Sequence, residues 1–305
     1  MTHKGSKIRN ILTEEHAGFS GVTHWLIAIS LFFLMWLAPI AFAQGYIAAI
    51  TKSWIFAFII FMVIGGASLL PDLDSSPLQE GGSTAVYQLG ILGQALSLVA
   101  ITISSVIWNV VHTRYDEKPP SQHRMFFHAP FVALIIFVFN WWSYPSSSAT
   151  AASLGFKGVP ASVYTIILMA AISVYLGASM FFYKVLSLLR RQKHTQFFCL
   201  AFMAFSCWSM WNMPFHELKL IGTAIALGYL FHIIGDVITK GSAPLFFPIP
   251  TPVKTSKGIK LRFWWKPYIF GGKFNITTGG AVNIILNFAL MGVNLFLAWY
   301  LFIRR

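Results

Sequence analysis

Apolar residues in this chain come in long unbroken blocks. They do not alternate, and they do not recur once per helical turn. The blocks cover about residues 22–43, 53–70, 86–111, 126–142, 161–189, 196–212, 218–238 and 281–303, and several approach about 20 residues. About 20 apolar residues in a helix cross about 30 Å of hydrocarbon. A block apolar on every side predicts a helix surrounded by lipid or protein, not one half-exposed to water. The polar stretches between blocks are short, apart from 1–21 and 239–280. The second holds Pro244, Pro248, Pro250 and Pro252, then Lys254, Lys257, Lys260 and Arg262. The pattern predicts an all-α membrane protein. It has a cytoplasmic N-terminal segment at 1–21 and a single polytopic domain at 22–303, with 239–280 as a long cytoplasmic basic loop.

Composition agrees. The chain is 56% hydrophobic and 10% charged, against about 25% charged in soluble domains. Its mean hydropathy is +0.67. The 29 Phe and 11 Trp suit lipid-facing surfaces and interfacial belts. The formal net charge is +13. In a chain of this kind, Lys and Arg hold the topology from cytoplasmic loops, so no specific nucleic-acid binding is expected. Ala41-Phe42-Ala43-Gln44 resembles a signal-peptidase site, but the preceding apolar stretch is long for a leader and reads as a retained helix. Cys199 and Cys207 lie in one apolar run and suggest neither a disulfide framework nor a zinc finger.

The basic residues also test the number of crossings. If all eight blocks cross and the N-terminus is cytoplasmic, seven loop cations lie inside and fourteen outside, the reverse of the positive-inside rule. If 86–111 enters and leaves on one side, sixteen lie inside and five outside. The expectation is therefore about seven transmembrane helices plus one re-entrant or surface-lying segment at 86–111, with Gly90 and Gly93 as break points.

Ionisable residues at the ends of apolar runs are costly and often functional. His24 opens the first block. Leu70-Pro71-Asp72-Leu73-Asp74 closes the second. His123, Arg124 and His128 flank the start of the fourth. His232 and Asp236 close the seventh at i and i+4, one turn apart on one helix face. That spacing suits two ligands of one ion, or a ligand and its orienting carboxylate, and equally a plain hydrogen bond between helices. In an extended loop Asp72 and Asp74 would point apart, so sharing an ion requires a turn. Arg124 suits neutralisation of a phosphate or carboxylate, or simply anchors the loop. His112 and Asp116 form a reserve pair of more interfacial character. In the seven-crossing topology, His24, Asp72, Asp74, His123, His128, His232 and Asp236 all fall on the cytoplasmic face.

In this order, Thr23-His24, Leu70-Pro71-Asp72-Leu73-Asp74, His123-Arg124 with His128, and His232-x-x-x-Asp236 resemble the YdjM-type membrane-bound metal-dependent hydrolases. Asp236-Val-Ile-Thr239-Lys-Gly241, followed by Pro244 and Pro248, is also similar to that family's stretch after its last motif. The resemblance covers about residues 20–250. The family's central motif usually reads His-Arg-Gly-x-Thr-His-Ser. Here Met125, Phe127 and Ala129 stand in place of Gly, Thr and Ser.

The resemblance implies a hydrolase related to zinc phospholipase C-type sites. The resulting expectation is a metal-dependent hydrolase acting on a lipid-linked or phosphoester substrate at the cytoplasmic leaflet. His24, Asp72, His123, His128, His232 and Asp236 would hold one or two ions. Zn²⁺ is preferred, and Mn²⁺ or Fe²⁺ suit the same donors. Asp74 would be the base or a second bridging ligand, and Arg124 would stabilise charge on phosphate oxygens. Phe263-Trp264-Trp265-Lys266 could rest on anionic headgroups of membrane lipids or serve as an interfacial anchor. The competing readings are an ion or small-solute transporter, and a non-catalytic scaffold with a structural metal.

Overall fold

The computed structural model describes residues 21–37, 46, 48–50, 53–74, 90–114, 116, 125–143, 161–188, 195–238, 243–256, 258–264 and 281–302. Within these, the elements in chain order are α1 (Gly21–Leu37), α2 (Trp54–Ala67), α3 (Gly90–Val111), α4 (Pro130–Ser143), α5 (Ala161–Leu188), α6 (Thr195–Trp211), α7 (Phe215–Ile238) and α8 (Ala281–Phe302). A two-stranded antiparallel hairpin, β1 (Thr251–Thr255) and β2 (Gly258–Arg262), lies between α7 and α8 in the sequence. Five stretches of the described residues are long and apolar enough to cross a membrane: Trp54–Asp74, Leu92–Val111, Val163–Phe182, Phe215–Ile238 and Val282–Leu301. Gly21–Met35 and Pro130–Ser143 are shorter apolar helices. The chain is thus a helical membrane protein.

One expectation is corrected. α3 is one continuous helix through Gly93, so that glycine does not break it; within an apolar run each residue still has its i−4 carbonyl, and nothing favours leaving the helix. The basic loop also contains a short hairpin that the sequence pattern did not announce, within a fold that is otherwise helical. Thr251 pairs with Arg262 and Thr255 with Gly258. Gly258 adopts φ +98°, in the left-handed region that glycine enters without a Cβ penalty.

The chain divides into two compact units. One comprises Trp25–Leu70, Ala133–Phe231 and Gly292–Arg305. Its α2 and α5 touch through glycines. A Cβ on Gly66 would sit 1.6 Å from the Ser173 carbonyl oxygen, and one on Gly177 would sit 2.3 Å from that of Met62. A Cβ on Gly228 of α7 would likewise meet the Ile64 carbonyl at 2.4 Å. Small residues that let backbones approach are the usual means of packing helices where lipid removes the hydrophobic drive. Polar side chains assist. Asn140 donates to the Lys219 carbonyl and to Thr223 Oγ1, both at 3.1 Å, and Ser30 donates to Asn294 Oδ1 at 2.9 Å.

The other unit comprises Met1–His24, Pro71–Val132 and His232–Met291. Two short 3₁₀ turns, Pro71–Asp74 and Phe126–His128, pack against each other and against α3. Buried Trp108, Met125, Ala129, Phe247 and Trp264 form an apolar cluster beside the second turn. Phe247 and Trp264 stack with ring centres 4.3 Å apart. Asp116 ties the end of the hairpin to the end of α3: it accepts from the backbone N–H groups of Thr113 at 2.7 Å and Trp264 at 3.2 Å.

Candidate metal centre

Asp72, Asp74 and His128 are carried by two local breaks in helical structure, and His24, His232 and Asp236 by α1 and α7 themselves. At the end of α2 the hydrogen bonds tighten to i−3, from Leu69 to Gly66 and from Leu70 to Ala67. Pro71 has no N–H to continue the helix. The chain winds into the Pro71–Asp74 turn, in which both carboxylates are buried. This is the turn that the Asp-x-Asp spacing requires if both acids are to serve one site. The second turn closes through His128 N–H to Met125 O and Ala129 N–H to Phe126 O, each 3.1 Å. Ala129 is extended, with φ −86° and ψ 132°, as the residue before a proline prefers. Pro130 then begins α4, a position where its missing N–H costs nothing. His24 sits in the first turn of α1, and Asp236 in the last turn of α7.

These pieces bring six buried side chains together: His24, Asp72, Asp74, His128, His232 and Asp236. Asp236 is the hub. Its Oδ1 lies 3.5 Å from His24 Nε2. Its Oδ2 lies 3.1 Å from His232 Nε2 and 3.3 Å from His128 Nε2. Asp72 Oδ1 is 3.6 Å from His128 Nε2 and 3.7 Å from His232 Nε2. Asp74 Oδ1 approaches the opposite edge of the His128 ring, 3.8 Å from Nδ1. The His24 and His232 rings stack with centres 3.8 Å apart.

The 3.1 Å His232–Asp236 contact is a hydrogen bond, and the longer spacings around it are ones that ligands of a shared ion could also take. Charge-assisted hydrogen bonds are about 2.7–2.9 Å long. Tetrahedral donors about 2.0–2.2 Å from a shared ion stand about 3.3–3.6 Å apart. Two triads, His24/His232/Asp236 and Asp72/His128/His232, each have their ligand atoms within 4.8 Å of one another. Three imidazoles with carboxylates form a donor set suited to Zn²⁺, Fe²⁺ or Mn²⁺. The electrostatics agree. Burial by itself would lower the His128 pKa, but the carboxylates of Asp74, Asp72 and Asp236 outweigh it and raise that pKa to about 9. Surroundings that hold a proton on a buried imidazole favour a cation in its place.

His123 and Arg124 lie outside the described residues. His112 and Asp116 do not pair with each other in the described contacts. His112 stacks on Trp108, with its Nδ1 2.9 Å from the Trp108 carbonyl, while Asp116 accepts the backbone N–H groups named above. Trp264 is buried in the apolar cluster and so is not itself available to headgroups. Trp265 and Lys266 are outside the described residues.

Sequence reading missed Asn283 and Asn287 of α8. Thr23, beside His24, bonds to Asn283 Oδ1 and, at 2.7 Å, to Asn287 Oδ1. The available signal was two asparagines at i and i+4 inside an apolar run, where a polar stripe needs a partner.

A family model described as YdjM inner membrane protein matches residues 19–305. The chain belongs to the YdjM family. As a YdjM protein it is an inner-membrane protein, and the match extends over the hairpin and α8 as well as the His/Asp cluster. No curated protein and no solved structure matches this YdjM chain.

Proposed function

We propose that this protein is a membrane-embedded metal-dependent hydrolase whose site opens at the cytoplasmic leaflet and takes a lipid-linked or phosphoester substrate. The observation that carries the metal is the buried His/Asp cluster with donors 3.1–3.7 Å apart around Asp236 and Asp72. His24, Asp72, His128, His232 and Asp236 would hold the ion or ions, with Zn²⁺ favoured, and His123 completes the proposed set. A divalent ion bound there would lower the pKa of a coordinated water toward about 7.

Asp74 faces Nδ1 of His128, so its task in this proposal is to orient that ring and keep Nε2 turned to Asp72 and Asp236, the usual carboxylate–histidine arrangement around a metal. Arg124 would stabilise charge on phosphate oxygens. Position along the helices supports an enzyme over a transporter. His24 and Asp236 lie in end turns of α1 and α7, whereas transporter sites gather near the midplane. The cytoplasmic assignment and the seven-crossing topology rest on the excess of Lys and Arg on that side. Asp74 and His128 bracket α3 and still meet. This supports a chain that leaves and returns on one side of the membrane.

Metal analysis of the purified protein beside His232→Ala/Asp236→Ala tests the site. Metal is expected in the first and only background in the second; equal metal in both overturns the proposal. Turnover of phospholipid and lipid-diphosphate panels, abolished by chelation, tests hydrolysis.

A further inference from the structure

The hairpin has two unlike faces. Side chains alternate along a strand, and partners in register share a face. Pairing Pro252 with Leu261 and Lys254 with Ile259 puts these four on one side; Val253 and Lys260, and Thr251 and Arg262, share the other. The first face is exposed, with Ile259 at 75% and Leu261 at 52%. Nearby Ile249 is also exposed, at 66%. The second face is half-buried.

The hairpin's level is set by α3. Thr113 donates to the Leu261 carbonyl at 3.3 Å, Trp264 stands against Trp108, and Asp116 binds the Trp264 N–H. All three attachments lie at the C-terminal end of the apolar stretch Leu92–Val111. Whether that helix crosses the bilayer or lies along it, its polar end belongs at the membrane–water boundary. Charge supplies the partner's sign. From Val237 to Gly280 the sequence has seven Lys and Arg and no Asp or Glu.

We propose that the exposed face of this hairpin rests in the headgroup layer of an anionic phospholipid leaflet, with Ile259, Leu261 and Ile249 dipping into the interface and Lys254 on phosphates. The partner is the leaflet; a second copy of this chain is the alternative that the test separates.

The test uses the full-length protein with Cys199→Ser/Cys207→Ser and an environment-sensitive fluorophore on Ile259→Cys. It is reconstituted in nanodiscs of phosphatidylcholine alone or with phosphatidylglycerol. In anionic discs the label is expected to be quenched by a headgroup-level nitroxide lipid and shielded from aqueous iodide. Lys254→Ala should weaken this docking roughly fivefold, and Lys260→Ala, on the other face, should weaken it less. Leu261→Cys, on the same face, gives a second reading. Two results overturn the proposal: iodide reaching both labels equally in anionic and zwitterionic discs, or shielding that grows with protein concentration in lipid-free detergent. Metal content, measured on the same samples, reports separately on the His/Asp cluster.

Discussion

His24 Nε2, in the first turn of α1, lies 3.5 Å from Oδ1 of Asp236, in the last turn of α7. The other oxygen of the same carboxylate faces His128 and His232, so one side chain joins three imidazoles from separate parts of the chain. Asp236→Asn keeps the shape and removes the charge. It is expected to reduce bound metal to background by elemental analysis. Asp74→Asn alters the carboxylate that faces the Nδ1 edge of His128 and should weaken metal affinity about 10–100-fold without abolishing it. Equal losses in the two variants would remove the distinction between ligand and orienting carboxylate.

pH should act in opposite senses with and without metal. In chelator-treated protein the His128 pKa of about 9 exceeds its ordinary value of about 6.5. The resulting stabilisation is fully present below about pH 6.5 and is lost as pH rises through about 9. Thermal unfolding in detergent should therefore fall across that window. Added Zn²⁺ should oppose the fall, because an ion binds the neutral ring. His128→Ala should remove most of the slope, and an unchanged slope in that variant would assign it to other groups.

The α2–α5 contact should be intolerant of volume. A methyl on Gly66 would overlap the Ser173 carbonyl, and backbone cannot rotate aside as a side chain can. Gly66→Val is expected to cost about 3 kcal/mol, the upper end for overpacking, seen as a lowered Tm and poor detergent-extracted yield. Gly292→Ala, with open space at its Cβ, should leave both unchanged.

Trp264 packs against Trp108 and Phe247 in the apolar cluster that also holds Met125 and Ala129, on either side of the His128 turn. Trp264→Ala should cost about 3–5 kcal/mol and weaken metal binding even though no donor is altered. Isothermal titration with Zn²⁺ checks this. Undiminished affinity at temperatures where the variant stays folded would show that the cluster does not hold the turn.

Met125 and Ala129 belong to this cluster. Both are buried with Trp108, Phe247 and Trp264, so apolar side chains at these positions pack against the segment that carries the hairpin. That segment lies far away in sequence, and neither the position of the hairpin nor the place of its flanking Phe247 and Trp264 in the Met125 cluster was readable from the chain. The basic stretch had no alternating pattern strong enough to announce strands, and Pro252 in β1 argues against one.

Composition and block length alone settled the membrane class, because lipid admits only apolar helices or closed barrels and the charge needed by a soluble surface is missing. The i, i+4 spacing by itself puts His232 and Asp236 on one face, since a helix has a fixed period. Only the tertiary structure decided that Asp74 meets the far edge of the His128 ring, that one carboxylate joins three histidines, and that α3 continues through Gly93. Those facts depend on how turns at Pro71 and Pro130 aim their side chains across the unit. Local sequence specifies that a helix stops at such a residue; the packing of distant segments determines what the next side chain touches.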